Sequence, residues 1–308
     1  MTWTDGYRKS AGSVFAVLFT LLSGSQSAGA DVVKTLANLP EVTRDGFVKI
    51  VADRPLSASQ GKRVLDLIER AYEFDIDQLG WKKTGNLAMP MTVAVVSDKW
   101  MKAHRLRFMG GSFNSTVFAV RDEMFSNPVY DGVIAHELTH LLVMRQFLGD
   151  EARNHGWSAV MGEGMASHNG KRFRLATNQK RYPQHRIPAN DIDQTMTGLD
   201  AKQVFSETGD VAESNRFRYP VGLQFIEFVR LRLDGKGHSD AIRQFGAMVA
   251  DMARTHKPFD KEFQEHFGTL LDGAHLQFVQ FITSTENNPA ARFADTILMP
   301  KKPGTEDE

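Results

Sequence analysis

Three side chains that could do chemistry together, His136, Glu137 and His140, lie in the sequence His-Glu-Leu-Thr-His. On a helix, residues four apart share one face and are about 6 Å apart along the axis, so both imidazoles can reach one ion. Neutral imidazole nitrogen binds zinc well, at about 2.0–2.1 Å. Glu137 lies beside that face, where a carboxylate can take a proton from a metal-activated water. The spacing predicts a metal site for amide hydrolysis, against the alternative of histidines hydrogen-bonded at a helix surface.

A catalytic zinc ion needs a third protein ligand and an open position. The acidic residues that follow on the chain are Asp150, Glu151 and Glu163. The first two lie at the predicted end of the motif helix, far along its axis from the histidines. Glu163 lies in the next helical segment, between Gly162 and Gly164, which permit close packing. A helix packed antiparallel on the first could direct Glu163 at the metal, so we expect Glu163 to be the third ligand.

Amide hydrolysis also needs a hydrogen-bond donor for the oxygen that becomes negatively charged. Tyr219, at the start of YPVGLQF, is the preferred candidate, and Tyr182 and His185 are alternatives. Arg216 and Arg218 could hold a substrate carboxylate, although a solvated basic surface is the simpler expectation for them. Three further histidines could be spare ligands, although a lone histidine is more often a surface or core residue. They are His104, His155 and His168.

The segments ahead of the motif predict a mixed α and β lobe. Residues 31–55 alternate weakly in polarity and predict one or two short strands. A helix capped by Ser57 or Ser59 is expected to run to about Leu79. Met91 to Val96 predicts a strand that is too apolar to lie on a surface.

The motif itself is expected on a helix that follows a second strand. SFNSTVFAV, residues 112–120, alternates in polarity and predicts that strand. Asn127-Pro128 is expected to open the motif helix, since proline suits the first helical turn. The helix should run to about Leu148, before Gly149.

Beyond residue 150 the periodicity predicts mostly helices, and 177–215 is polar and predicts a long loop. The helical segments are expected near 157–169, 219–233, 239–254, 259–266 and 272–284. The fold class is therefore α+β, with a lobe over 31–150 that carries a small twisted sheet and the motif helix. A helical lobe follows over 151–286, and the charged segment 287–308 predicts a flexible tail.

Composition narrows the class of protein. The 308 residues include 37 Lys or Arg and 37 Asp or Glu, so no basic excess favours binding to nucleic acid. The chain has no cysteine, which excludes disulfides, thiolate zinc sites and cysteine nucleophiles.

The N-terminal segment predicts export to the periplasm or outside the cell. Arg8 and Lys9 precede a short apolar stretch, and small residues follow it up to Ala28-Gly29-Ala30. This pattern is typical of a secretory signal over residues 1–30, cleaved after Ala30. No later apolar segment is long enough to span a bilayer, so no stable membrane span is expected after signal removal.

The two motifs together resemble the gluzincin metallopeptidases. HELTH is followed 23 residues after its second histidine by Glu163 in the phrase GEGMAS, which is similar to the E-G-x-A motif of thermolysin-like peptidases. The resemblance implies a zincin-type fold and one catalytic Zn²⁺, bound by His136, His140 and Glu163. It implies Glu137 as the general base, and a tyrosine or histidine such as Tyr219 as the donor to the oxyanion.

The resemblance also points to two further features. The family often pairs extended substrate with a strand just before the motif helix, where FNSTVFAV lies in this chain. Relatives often have a carboxylate four residues after the ligand glutamate that orients a metal histidine, and here that position is Ser167, followed by His168. Such partners fix the imidazole tautomer, so another group is expected to take this role.

The expected function is hydrolysis of peptide bonds in a peptide or protein substrate. Two alternatives are consistent with the same residues. One is a non-proteolytic zinc-binding factor of the periplasm, a chaperone or binding module, favoured by the departure at Ser167. The other is a zinc amidase that acts on a non-peptide amide such as a cell-wall bond.

Overall fold

A computed structural model describes residues 26–106, 110–112, 115–125, 128–147, 157–177, 198–205 and 218–283. In these ranges the protein has an α+β fold in which helices predominate. The strands are β1 (Glu41–Asp45), β2 (Val48–Ala52), β3 (Met91–Val96), β4 (Gly110–Ser112) and β5 (Val117–Arg121). The first helices are α1 (Gln26–Ala37), α2 (Ala58–Gln78), α3 (Asp98–Ala103), α4 (Asp131–Gln146) and α5 (Ala159–Ala176). The others are α6 (Ala201–Phe205), α7 (Arg218–Leu231), α8 (Ala241–Thr255), α9 (Phe259–Phe267) and α10 (Leu271–Thr283).

The five strands form one mixed sheet in the order β1-β2-β3-β5-β4. The three central strands, β2, β3 and β5, are parallel, and the outer strands β1 and β4 each pair antiparallel with their neighbours. Strand β4 is therefore an edge strand, and it lies against helix α4. This contact brings one edge of the sheet next to the helix that carries HELTH.

Both faces of the sheet are covered, as the apolar composition of Met91 to Val96 predicts. Met91, Val93 and Val95 belong to the main core, which contains residues of both predicted lobes. Ala94 and Val96 lie on the opposite face, in a smaller core with Leu36 of α1. Because side chains alternate along a strand, a strand buried on both faces has no polar side.

Helix α2 begins as its sequence predicts. The Ser57 hydroxyl accepts a hydrogen bond from the backbone N–H of Gln60 at 3.2 Å, and the Gln60 side chain accepts one from the N–H of Ser57 at 2.8 Å. This reciprocal capping box satisfies two N–H groups that the helix cannot pair itself. The cap is therefore Ser57 and not Ser59.

The short strands predicted within residues 31–55 are confirmed as β1 and β2, and helix α1, whose Leu36 packs on the sheet, precedes them. Two other predicted elements are wrong in detail. The single strand predicted over 112–120 is a hairpin instead, because Ser112 pairs antiparallel with Phe118 and the chain must reverse between them. The predicted loop 177–215 contains helix α6, whose Ala201, Val204 and Phe205 are buried.

Several predicted boundaries agree closely with the structure. The C-terminal helices predicted near 219–233, 239–254, 259–266 and 272–284 correspond to α7, α8, α9 and α10. A short 3₁₀ turn, Pro128–Tyr130, precedes the motif helix, which begins at Asp131. The helix predicted over 157–169 is longer and continues to Ala176.

The two predicted terminal segments lie largely or wholly outside the described residues. The structure describes the signal segment 1–30 only from Gln26, where helix α1 begins and continues past Ala30. The tail 287–308 is outside it altogether. Among the described helices, none combines the length and the apolar character that crossing a bilayer requires.

Candidate metal centre

Helix α4 is buried on nearly every side, and this places its polar residues in the interior. His136 is 8% exposed and Glu137 is 2% exposed, while His140 is half-buried. Leu138, Leu141 and Leu142 are fully buried around them. Burial of ionisable groups among leucines is costly unless they are paired, so these three side chains need partners.

Arg145, one turn beyond the motif, fixes the end of α4 against the sheet. It is fully buried, and its guanidinium donates to the carbonyl oxygens of Ser115 (2.8 Å), Met89 (2.9 Å) and Pro90 (3.1 Å). It also donates to the Tyr72 hydroxyl at 2.8 Å. Four neutral acceptors thus satisfy one buried cation and hold the motif helix in place.

Helix α5 crosses α4 antiparallel, as predicted. The start of α4 meets the end of α5 at Gly132 and Gly170, where a Cβ on Gly170 would collide with the carbonyl oxygen of Gly132. Further along, His140 of α4 meets Glu163 of α5. The prediction that Gly162 and Gly164 allow this approach is wrong, because Gly164 faces Gly222 of helix α7 and Gly162 faces Trp157.

The three predicted ligand atoms form a nearly equilateral triangle. His136 Nε2, His140 Nε2 and Glu163 Oε2 are 3.3 Å from one another on each side. A tetrahedron with edges of 3.3 Å has its centre about 2.0 Å from each corner, which matches zinc–nitrogen and zinc–oxygen distances. The described residues can thus hold a metal ion on three ligands, with a fourth position left for water or substrate.

The pKa values of the three ligand side chains depend on one another. The pKa of Glu163 is raised by burial, but the charge of His140 and the contacts with both histidines outweigh burial and hold it below its usual range. Burial lowers the pKa of His136. Burial acts in the same direction on His140, but the charge and hydrogen bond of Glu163 raise its pKa overall. The charge of Glu163 thus favours a proton on His140.

For Glu137 the effect of burial predominates and raises its pKa to about 8. The positive charges of His140 and Arg218 lower the pKa of Glu137 in part, and the charge of Glu163 raises it. A carboxyl with a pKa near neutrality is suited to accept and return a proton. The sequence predicts Glu137 as the general base, and this role stays a prediction.

Arg218 and Tyr219, at the start of α7, close the other side of the centre. Arg218 is only 3% exposed, and its Nε lies 3.3 Å from Glu163 Oε1, the oxygen that does not face the histidines. Its other end donates to the Tyr219 hydroxyl at 3.3 Å, and the Tyr219 ring stacks on His136 at 5.8 Å. Tyr219 therefore lies at the centre as predicted, but the expectation of a solvated basic surface is wrong for Arg218.

Next to the motif histidines, a series of buried side-chain hydrogen bonds links three helices. The Asn169 amide donates to the Thr139 hydroxyl at 3.1 Å, and Thr139 contacts Asp75 Oδ2 at 3.1 Å and the Ala135 carbonyl at 3.0 Å. A hydroxyl has one hydrogen to donate, so a neutral Asp75 can supply the second one. Burial raises the pKa of Asp75 well above its ordinary value, despite the hydrogen bond with Thr139. These hydrogen bonds fix helices α2, α4 and α5 relative to one another.

The neighbouring histidine His168 has a carboxylate partner of its own. Its Nδ1 lies 3.3 Å from Glu227 Oε1, and Arg230 binds the other oxygen at 2.8 Å. Burial raises the pKa of Glu227, but His168 and Arg230 outweigh it and lower the pKa to about 2. His168 thus belongs to a separate ion pair, and the neighbouring Ser167 is half-buried.

The remaining sequence candidates do not join the described centre. His104 is exposed and stacks on Trp100 at 3.9 Å. Six others lie outside the described residues, so the structure does not test them. They are Asp150, Glu151, His155, Tyr182, His185 and Arg216.

Sequence reasoning missed two features of the centre, the contact of Arg218 with Glu163 and the series of hydrogen bonds that runs from Asp75 to Asn169. A charged residue next to the Tyr219 candidate was the only sequence signal for the first. A scan against protein-family models found no match, and a search of curated proteins found no similar sequence.

Proposed function

We propose that this protein is an exported zinc metallopeptidase of gluzincin type, with a zincin-type fold, that cleaves peptide bonds. One observation carries the proposal: the 3.3 Å triangle of His136, His140 and Glu163 lies next to the buried carboxyl of Glu137. The N-terminal pattern from Arg8 to Ala30 supports export.

In this proposal, His136, His140 and Glu163 hold the metal through Nε2, Nε2 and Oε2. A zinc ion there supplies a Lewis acid that lowers the pKa of a water molecule, polarises a carbonyl and favours the ionised form of Glu137. Glu137 accepts the proton of the attacking water and returns it to the leaving amine. The leucines of α4 keep bulk water away from the Glu137 carboxyl. Its pKa therefore stays high enough for it to take up the proton before passing it to the leaving amine.

Tyr219 is placed to stabilise the negative charge that develops on the substrate oxygen. In its hydrogen bond with Arg218 the phenol oxygen is the acceptor, so the phenol O–H remains a donor group. The pKa of Tyr219 is raised well above its ordinary value by burial and by the charge of Glu163, so the phenol keeps its proton at neutral pH. A donor of this kind contributes most where water is excluded.

A peptide substrate is favoured by the edge of the sheet. Strand β4 is unpaired on its outer side within the described sheet and lies against α4. An extended peptide can add to such an edge through backbone hydrogen bonds. The earlier expectation that FNSTVFAV performs this pairing is wrong, because β5 is an interior strand between β3 and β4. The residues for this role are therefore Gly110 to Ser112.

The test is the Glu137→Gln variant with a mixed peptide library, in which products are identified by mass spectrometry. Removal of a general base lowers the rate by roughly 10²–10⁴-fold, while bound zinc should be unchanged because Glu137 is not a ligand. Glu73→Gln, at an exposed site on α2, is the matched control and should keep full activity.

Full activity of Glu137→Gln would contradict the mechanism. A wild-type protein that binds zinc but cleaves no peptide would contradict the peptidase assignment. Cell-wall fragments are assayed in parallel, and their cleavage in place of peptides would show an amidase that uses the same residues.

A further inference from the structure

A second group of possible metal ligands lies on helices α8 and α9, apart from the centre described above. It consists of Asp251 on α8 with Glu262 and His266 on α9, and the ligand atoms all lie within 4.8 Å of one another. The chain reverses between the helices at His256, which has a left-handed φ of 59°. Glu262 and His266 are four residues apart and share one face of α9, which faces the end of α8.

Each carboxylate has one oxygen bound by a neighbour and the other directed at His266. Arg254 holds Asp251 Oδ1 at 2.6 Å, and the Thr255 hydroxyl donates to Glu262 Oε1 at 2.6 Å. The second oxygens, Asp251 Oδ2 and Glu262 Oε2, lie 3.1 Å and 3.6 Å from His266 Nε2. Partners of this kind orient ligands in metal sites.

The protein groups do not satisfy Glu262 Oε2. Glu262 is 1% exposed, and a separation of 3.6 Å from His266 is too long for a hydrogen bond. An imidazole N–H is directed at one acceptor, and Asp251 lies closer to it than Glu262 does. Within the described residues, Glu262 Oε2 thus faces the cluster without a hydrogen bond from a protein donor. The Glu262 side chain is 2% exposed, and a bound cation would offset the cost of holding its charge there.

We propose that Asp251, Glu262 and His266 bind a second divalent metal ion of the zinc class, independent of the first centre. One imidazole nitrogen with two carboxylate oxygens suits zinc and its neighbours, whereas calcium and magnesium prefer oxygen ligands alone. Neutral His266 would turn Nε2 to the ion in place of donating to Asp251. Among the described residues, the nearby cations do not occupy the position proposed for the ion. Arg254 binds Asp251 Oδ1, the oxygen that faces away from His266, and Lys257 binds Glu265 at 2.7 Å. The ion would clip the end of α8 to α9, which is a structural role.

The experiment uses a protein in which His136→Ala and His140→Ala remove the first centre and leave the second intact. Zinc uptake is measured by equilibrium titration against a chelator, and unfolding by circular dichroism. We expect about one zinc ion per chain and a rise in Tm of roughly 5 °C at a hundred-fold excess over Kd. Calcium should give neither effect.

Adding His266→Ala to this protein should abolish zinc uptake, and Glu262→Gln should weaken it at least ten-fold. Asp260→Asn, at an exposed site on the same helix, is the matched control and should bind as before. The proposal is overturned if the folded background protein takes up no zinc, if His266→Ala binds as well as its parent, or if calcium binds as tightly as zinc. Should the background protein not fold, the zinc content of wild type is compared with that of His266→Ala alone. A loss of one ion is expected, and an equal content overturns the proposal.

Discussion

Among the contacts near the centre that involve no metal ligand, the one between Gly164 and Gly222 should be the most sensitive to substitution. A Cβ added to Gly164 would lie 2.5 Å from the carbonyl carbon and oxygen of Gly222 and 2.9 Å from its Cα. These are backbone atoms, so no side-chain rotation can relieve the clash. Ordinary contact needs about 3.4 Å, so Gly164→Ala must separate α5 and α7 by roughly 0.9 Å.

The separation should affect both stability and catalysis. Overpacking of this kind costs up to about 3 kcal/mol, and alanine returns about 1 kcal/mol through its helix propensity. The net loss of about 2 kcal/mol corresponds to a fall in Tm of roughly 4–8 °C. The shift also moves Arg218 and Tyr219 away from Glu163, and a misplacement of about 1 Å can lower kcat/KM by about 10²-fold.

The assay compares Gly164→Ala with wild type and with Gly273→Ala by thermal unfolding and peptide hydrolysis. Gly273 lies in α10, where an added Cβ would make only an ordinary contact of 3.7 Å with Thr269. The control should be as active as wild type and more stable by up to about 1 kcal/mol, because it gains helix propensity without a clash. If Gly164→Ala matches the control in Tm and retains more than half of wild-type kcat/KM, then the close approach of α5 and α7 does not position the centre, and the reasoning fails.

Three further predictions concern single side chains around the centre. Asp75→Asn should become increasingly stable relative to wild type as pH rises over the range above the unfolded pKa of an aspartate, about 3.9. The folded pKa of Asp75 is raised, so wild type loses up to about 1.4 kcal/mol per pH unit above the unfolded pKa, whereas asparagine does not titrate. Urea unfolding across this range measures the effect, and a difference independent of pH would contradict it. Tyr219→Phe should lower kcat by about 10²-fold with unchanged zinc content, and a change in KM alone would argue against a role in the transition state. Arg145→Met should lower the free energy of unfolding by about 3 kcal/mol, because four acceptors lose their buried donor. A loss below about 0.5 kcal/mol in urea unfolding would show that water replaces them.

The parts of this fold that could be predicted are those whose signals are local in sequence. The pair His136 and His140 depends only on helical spacing, and the cap at Ser57 only on a residue three positions later. The helices of the C-terminal half follow from apolar periodicity, because each of them buries one face in the main core. Glu163 could be found because the next helix packs antiparallel on the motif helix.

The parts that could not be predicted depend on contacts between residues distant in the chain. Arg218 is 55 residues from Glu163, and nothing in its local sequence distinguishes a buried ion pair from an exposed basic residue. Asp75 and Thr139 are 64 residues apart, and only the packing of α2 on α4 brings them together. The reversal between β4 and β5 was missed because alternating polarity is the same in one strand and in a hairpin.

The most direct test of the metal centre is an anomalous difference map, recorded at the zinc absorption edge from crystals grown with zinc. The account predicts a peak about 2.0 Å from each of His136 Nε2, His140 Nε2 and Glu163 Oε2. It also predicts that the peak is absent in crystals of Glu163→Ala. Crystals of folded wild-type protein without anomalous density within bonding distance of these atoms would contradict the metal centre, and the proposed peptidase activity with it.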